Sequence, residues 1–349
     1  MRLGAARAAA KDWVLGTGCR SDGYVGAYFA GSTVGLSDDA ELAAGSDLDV
    51  NFVSEQPAPV KRGKFLYDGV LIEVSELAWA DIAPAETALA SYHIAGSFRG
   101  DTIIDDPSGR LRQLQRQVAP AFAREAWVRR RCQGVLHKSR DALQTIDRAA
   151  PWHDQVTGWL FATGVTAHLP LVAALRNPTV RLRYPRARAA LADHGLADRY
   201  PAFLDLLGGQ GLTSGQVGLH LEQLARTFDA ASAVAKTRFF FSSDITPAAR
   251  AIAIDAGRAL VAEGDHREAM FWIVATFARC QKILAADAPP ALQPEHAAAF
   301  ARVLGDLGIG SSDDIAARAG ETLAALPGLW RTAEDLMAVN PEIVRPEVA

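Results

Sequence analysis

The spacing of apolar positions changes about a third of the way along the chain. Before residue 110 they alternate with polar ones, or fall in short runs bounded by glycine: "GYVGAYFAG" (23–31), "SDLDVNFV" (46–53), "KFLYDGVLIEVSEL" (64–77) and "DTIIDDPSG" (101–109). This pattern predicts strands. The third run turns back at Asp68-Gly69, a pair suited to the positive φ of a tight hairpin. Residues 5–15 read as a short amphipathic helix, and "STVGL" (32–36) as a helix start with Ser32 at its N-terminal end. From about residue 110 the apolar residues recur every three or four positions. They predict helices over 123–146, 154–176, 213–236, 246–264, 266–287 and 294–308, with breaks at "RNPT", "LGGQG" and "APPA". The expected fold class is α+β: a small mixed β-sheet domain over 1–118, then an all-helical domain over 119–349.

One strand carries an anomaly. Asp47 and Asp49 alternate with Leu48 and Val50 in a run that otherwise reads as buried. Alternate strand residues share a face, so the two carboxylates stand about 7 Å apart at the backbone. They repel unless protons or a cation neutralise them. Oxygen ligands of this kind suit Mg²⁺, which takes one or two carboxylates and fills its shell with water and phosphate. Upstream, Gly31-Ser32 lies between the first strand and the expected helix start. Glycine admits close approach to the backbone, Ser32 adds a hydroxyl, and a helix N-terminus favours an anion. Glu73, again an acid among apolar strand residues, is the expected third carboxylate, as metal ligand or as base. Glu76 is the runner-up but has the opposite parity. Ser46 is a candidate phosphate contact or a turn cap.

Gly-Ser, a connector, Asp-x-Asp and a later strand-borne acid together resemble the nucleotidyltransferase superfamily with the DNA polymerase β-like fold. "FAGSTVGL", "GSDLDVNFV" and "GVLIEVSEL" carry the resemblance, which covers roughly residues 20–115. The segment "DTIIDDPSGRLRQL" and the helical remainder are similar in layout to aminoglycoside and lincosamide nucleotidyltransferases. The resemblance implies two Mg²⁺ ions on Asp47, Asp49 and Glu73, and a nucleoside triphosphate on Gly31 and Ser32. It implies transfer of a nucleoside monophosphate, AMP first, to a hydroxyl of a small-molecule acceptor, with aminoglycoside-like antibiotics the leading analogy. Pyrophosphate is released, and nucleotide and acceptor are expected in a cleft between the two domains. The connector is longer than the family's usual spacing, and "SDDAELAAG" (37–45) reads as a polar loop insertion. Two alternatives remain: a toxin-type enzyme acting on protein or tRNA, and a non-catalytic nucleotide- or partner-binding protein on the same scaffold.

Composition narrows the setting. A chain of 349 residues suits two domains, and a net charge of −4 does not favour bulk binding to nucleic acid or anionic membranes. Cys19, Cys132 and Cys280 form no paired motif, which predicts free thiols in a reducing compartment. Apolar runs such as "AMFWIVATFA" (269–278) read as too short to cross a bilayer, and the N-terminal stretch "MRLGAARAAAKDWVLGTG" reads as lacking a signal-peptide core of sufficient apolar length. The expectation is a soluble cytoplasmic protein without a membrane partner. Asp105 and Asp106 read as turn residues. Arg181, Arg183, Arg186 and Arg188 read as a solvated helix face or an anion contact. His266 and Glu268 read as a capped helix start or a cleft lining. "KTRFFFSSDIT" (236–246) reads as packing. His93, His137, His153 and His168 have no ligand spacing.

Overall fold

The computed structural model describes residues 1–17, 23–43, 45–56 and 62–346; Cys19 lies outside them. The chain is α+β and forms two compact units. One comprises Met1–Gly134, Leu171–Thr179 and Met337–Ala349, the other Val135–Pro170 and Val180–Leu336.

Among the described residues the first unit holds a five-stranded mixed sheet of β1 (Tyr24–Phe29), β2 (Leu48–Ser54), β3 (Gly63–Tyr67), β4 (Val70–Ala78) and β5 (Ile103–Asp105). Their order is β3-β4-β2-β1-β5. Only β2 and β4 run parallel. Asp68 and Gly69 adopt φ of 47° and 74° at the hairpin turn, as the Asp-Gly pair predicts. One sheet face is covered by α1 (Leu3–Thr17), whose Leu3, Ala6, Ala10 and Val14 pack on Leu48, Val50, Phe52, Ile72 and Val74. The other face builds a second core from Tyr28, Val53, Ile82, Leu89, Phe98, Leu111 and Leu114. These come partly from α2 (Trp79–Ile82), α3 (Ala85–Ala90) and α4 (Arg110–Val118). Asp106 accepts a 2.8 Å hydrogen bond from the Arg112 amide in the first turn of α4, a turn-and-cap role.

The expected helix at Ser32 does not form. Gly31–Thr33 is a single 3₁₀ turn, and the chain leaves it extended at Val34. The following loop serves α1 instead. Leu3 and Gly4, whose amides have no partner inside the helix, donate to the carbonyls of Ala40 (2.8 Å) and Asp38 (2.9 Å). Arg7 of α1 adds a 2.6 Å ion pair to Asp38 and a 2.8 Å bond to the Thr33 carbonyl. The polar stretch that reads as an insertion is therefore a helix cap.

Later segments rejoin this unit. The Val344 amide donates to the Ala123 carbonyl and the Glu125 amide to the Val344 carbonyl, each at 2.9 Å. Asn340 donates to the Ala173 carbonyl and Arg99 to that of Leu175.

After α5 (Glu125–Gln144), which contains the Gly134/Val135 division, the second unit is helical. Its principal helices are α6 (Trp152–Gly164), α7 (His168–Ala173, continuing into the first unit), α8 (Arg183–Asp193), α9 (Pro201–Leu204), α10 (Ser214–Val234), α11 (Ala256–Ala262), α12 (His266–Asp287), α13 (Gln293–Asp306) and α14 (Ser312–Val339). Thr213 and Gln216 form a reciprocal capping box on α10. Fourteen residues of α12, from Glu268 to Leu284, are buried, so its apolar character on all sides marks a core helix. Two stretches, Trp152–Ala173 and His266–Asp287, are long and apolar enough to cross a membrane, which corrects the expectation that every apolar run is too short. The most apolar windows of these stretches are 83% and 72% buried inside the structure. The Phe run is only partly packing: Phe241 is buried, whereas Phe240 is 78% exposed. Cys132 and Cys280 are buried free thiols.

Candidate functional site

The register of the sheet builds a row of charged residues. In the parallel pair Asp49 stands opposite Glu73, and in the hairpin Glu73 stands opposite Lys64. Cross-strand partners present their side chains to the same face. Lys64, Glu73 and Asp49 therefore lie side by side across three strands, and Asp47 joins Asp49's face from just before β2. This is the face opposite α1, since Leu48, Val50 and Ile72 take the alternate positions against that helix. One ligand oxygen from each of Asp47, Asp49 and Glu73 lies within 4.8 Å of the others. Glu76 is excluded by parity: it points to the opposite face and pairs at 2.8 Å with Arg62, whose guanidinium sits 5.0 Å from the Phe52 ring centroid.

Three half-buried carboxylates at this distance need compensation. Lys64 supplies part of it. Its ammonium lies 3.0 Å from an Asp47 oxygen and hydrogen-bonds Glu73, and its side chain is only 6% exposed. The carboxyl of Asp47 is nevertheless held above its ordinary pKa. Burial is the main cause, and the Glu73 charge adds to it while Lys64 opposes it. Behind the acids, Asn51 donates a 3.0 Å hydrogen bond to the buried Tyr28 hydroxyl, whose pKa burial pushes up.

Gly31 completes the site. Its φ is 70°, a conformation that favours glycine, and a Cβ there would fall 1.8 Å from an Asp49 carboxylate oxygen. The backbone thus runs in contact with Asp49, and the Ala30 amide donates to the Asp49 carbonyl at 3.0 Å. The Gly31 carbonyl accepts from Asn177 at 3.3 Å. Asn177 belongs to the 171–179 segment that rejoins the first unit, and its amide oxygen also packs against Gly96. Ser32 is exposed and Ser46 half-buried. The 3₁₀ turn that holds Ser32 is too short to give it a helix dipole.

Reading the sequence missed two residues of this arrangement. Lys64 had a signal: a two-residue turn at 68–69 pairs position 64 with position 73. Asn177 had none, because its approach to Gly31 depends on the path of the chain through the intervening helices. A hollow of about 610 Å³ lies elsewhere, beside α1 and the β3–β4 turn, lined by Ala5, Ala8, Ala9, Asp12, Tyr67 and Asp68, and does not include the acids.

Of the residues suspected of anion or acceptor contacts, Arg183, Arg188, His266 and Glu268 are engaged within the helical unit, and Arg186 is exposed. Arg188 bonds Asp265 and Glu268, and Arg183 is buried with its guanidinium 3.8 Å from the Phe271 ring centroid. One His266 ring nitrogen lies 2.9 Å from the Leu212 carbonyl oxygen. No protein-family model matches the chain, and neither a curated protein nor a solved structure does.

Proposed function

We propose that the protein is a Mg²⁺-dependent nucleotidyltransferase that moves a nucleoside monophosphate, AMP first, from a nucleoside triphosphate to an acceptor hydroxyl. The observation that carries this reading is the convergence of Asp47, Asp49 and Glu73 on one sheet face, with the Gly31 backbone against Asp49. The donor set fits the metal: three carboxylates and no nitrogen or sulfur ligand is the chemistry of a hard cation. Asp47, Asp49 and Glu73 would hold Mg²⁺, which when bound neutralises charge on the phosphates of the substrate.

The chain's own residues supply the rest. Gly31 lets a phosphate approach the backbone beside the acids, and Ser32 and Ser46 offer hydroxyls to its oxygens. The acceptor oxygen attacks the α-phosphorus, the bond from that phosphorus to the bridging oxygen breaks, and pyrophosphate departs. The hydroxyl proton passes to a carboxylate of the cluster, with Glu73 the candidate.

The test is incubation of the full chain with each α-labelled nucleoside triphosphate and Mg²⁺, against aminoglycosides, lincosamides, tRNA and total protein. Label on a small molecule, lost in Asp47→Asn/Asp49→Asn, is the expected result. Label on tRNA or protein would keep the chemistry and replace the acceptor. Transfer that survives the double substitution, or no Mg²⁺-dependent nucleotide binding by folded protein, would overturn the reading.

A further inference from the structure

Lys64 is the least ordinary member of the acid cluster. It is the second residue of β3, and its backbone is fixed by pairing with Glu73. Its side chain is almost wholly buried, and its ammonium lies on oxygens of two of the three proposed metal ligands. Mg²⁺ binds carboxylate oxygens at about 2.0–2.1 Å. An ion bonded to the Asp47 oxygen that Lys64 holds at 3.0 Å would lie no more than about 5 Å from the ammonium, by the sum of those two distances. Both would draw on the same carboxylates, and two positive charges so close repel. Lys64 in this position therefore competes with a bound metal for Asp47 and Glu73. The strand cannot shift without breaking the hairpin register, but the four-carbon stem of lysine is flexible and its charged head is readily hydrated.

We infer that Lys64 is a resident placeholder cation: it holds Asp47 and Glu73 together in the metal-free protein and is expelled when a divalent ion enters. Metal binding is then an exchange of one cation for another, not the filling of an open site. The lysine sets the apparent affinity. This rests on the metal-site reading above and adds to it a residue that tunes occupancy.

The experiment titrates Mn²⁺ into the EDTA-stripped full chain without nucleotide, followed by calorimetry or by the spin signal of free Mn²⁺. Lys64→Met is expected to bind Mn²⁺ at least about tenfold more tightly than the wild type, since no cation has to leave. In the wild-type protein, acetic anhydride should label Lys64 several-fold faster with Mn²⁺ than in EDTA, read by peptide mass spectrometry. Equal affinities with unchanged labelling would overturn the placeholder role and leave the metal site standing, as would weaker binding by Lys64→Met. No Mn²⁺ binding by either protein would sink the metal-site reading and this inference with it. If Lys64→Met does not fold, the labelling experiment on the wild type decides alone.

Discussion

Two groups of acids, one half-buried in the sheet unit and one buried in the helical unit, are built on different terms. In the helical unit Asp265 and Glu268 share Arg188, which reaches both Asp265 oxygens at 2.8 and 2.9 Å and Glu268 at 2.8 Å; the Tyr200 hydroxyl donates to Glu268 at 2.9 Å. Asp265 is the N-cap residue of α12 and Glu268 lies in its first turn, where the helix field favours negative charge. Two carboxylates thus have a guanidinium fork, a hydroxyl and a helix end. In the sheet unit Asp47 and Glu73 share the Lys64 ammonium, and the three acids sit on or beside strands, which carry little dipole. The first group is satisfied by the fold. The second brings three half-buried carboxylates within 4.8 Å of one another, and Asp47 is held above its ordinary pKa even with Lys64 beside it, an arrangement that more often accompanies a functional site than a structural one.

Neutralising each group separates the two cases most sharply. Asp47→Asn/Asp49→Asn should cut nucleotidyl transfer by about 10³-fold, several kcal/mol of lost charge stabilisation. Its unfolding midpoint should stay level or rise, because like-charge repulsion is relieved. A drop in stability would place the sheet acids with the structural group. Glu268→Ala should behave in the opposite way. It strands the Tyr200 hydroxyl and leaves Arg188 with Asp265 alone, and because the Arg188 side chain is 43% exposed the cost should fall below the fully buried range, at about 2–3 kcal/mol by urea unfolding. Transfer by the folded fraction should be retained.

Smaller effects test how the sheet site is held. Gly31→Ala places a side chain at φ 70° and on top of Asp49. It should cost about 1–3 kcal/mol and lower Mn²⁺ affinity. Asn177→Ala removes one hydrogen bond to the Gly31 carbonyl and should cost about 1 kcal/mol, with a rise in KM for the nucleotide larger than any fall in kcat.

The smallest effect is a pH slope. Burial holds the His153 imidazole below its ordinary pKa of 6.5. The unfolded chain therefore takes up that proton first, and this contribution is complete above pH 6.5 and lost as pH falls through the folded value. His153→Gln should flatten the wild-type decline in unfolding free energy below that pH. Asp47 has the reverse sign. Its raised carboxyl pKa adds a cost that is absent below 3.8 and grows as pH rises through the folded value.

Much of the fold can be read from local pattern. The strand runs at 23–31, 46–53, 64–77 and 101–109 all contain observed strands, because alternation and Asp-Gly chemistry act over a few residues. Local pattern also held a helix that went unread. Ile315, Ala319, Thr322, Leu326, Leu329, Ala333 and Leu336 recur at spacings of four and three along α14 and are buried, and the helix runs on through Pro327. The Ser32 helix is the opposite case. A serine before apolar residues suits a cap, yet the chain spends 37–42 on the N-terminus of α1, where the backbone groups need partners.

The sequence by itself determined which residues had unusual chemistry for their place: acids at 47, 49 and 73 within apolar strands, and a glycine at 31 before them. It also determined that Lys64 faces Glu73, since a two-residue turn fixes hairpin register. The tertiary structure decided that β2 runs parallel to β4 with Asp49 opposite Glu73, that Asp47 and Glu73 share one ammonium, and that Asn177 reaches Gly31. Parallel pairing and long returns of the chain are set by the burial of whole sheet faces and helices, and no short stretch of residues encodes them.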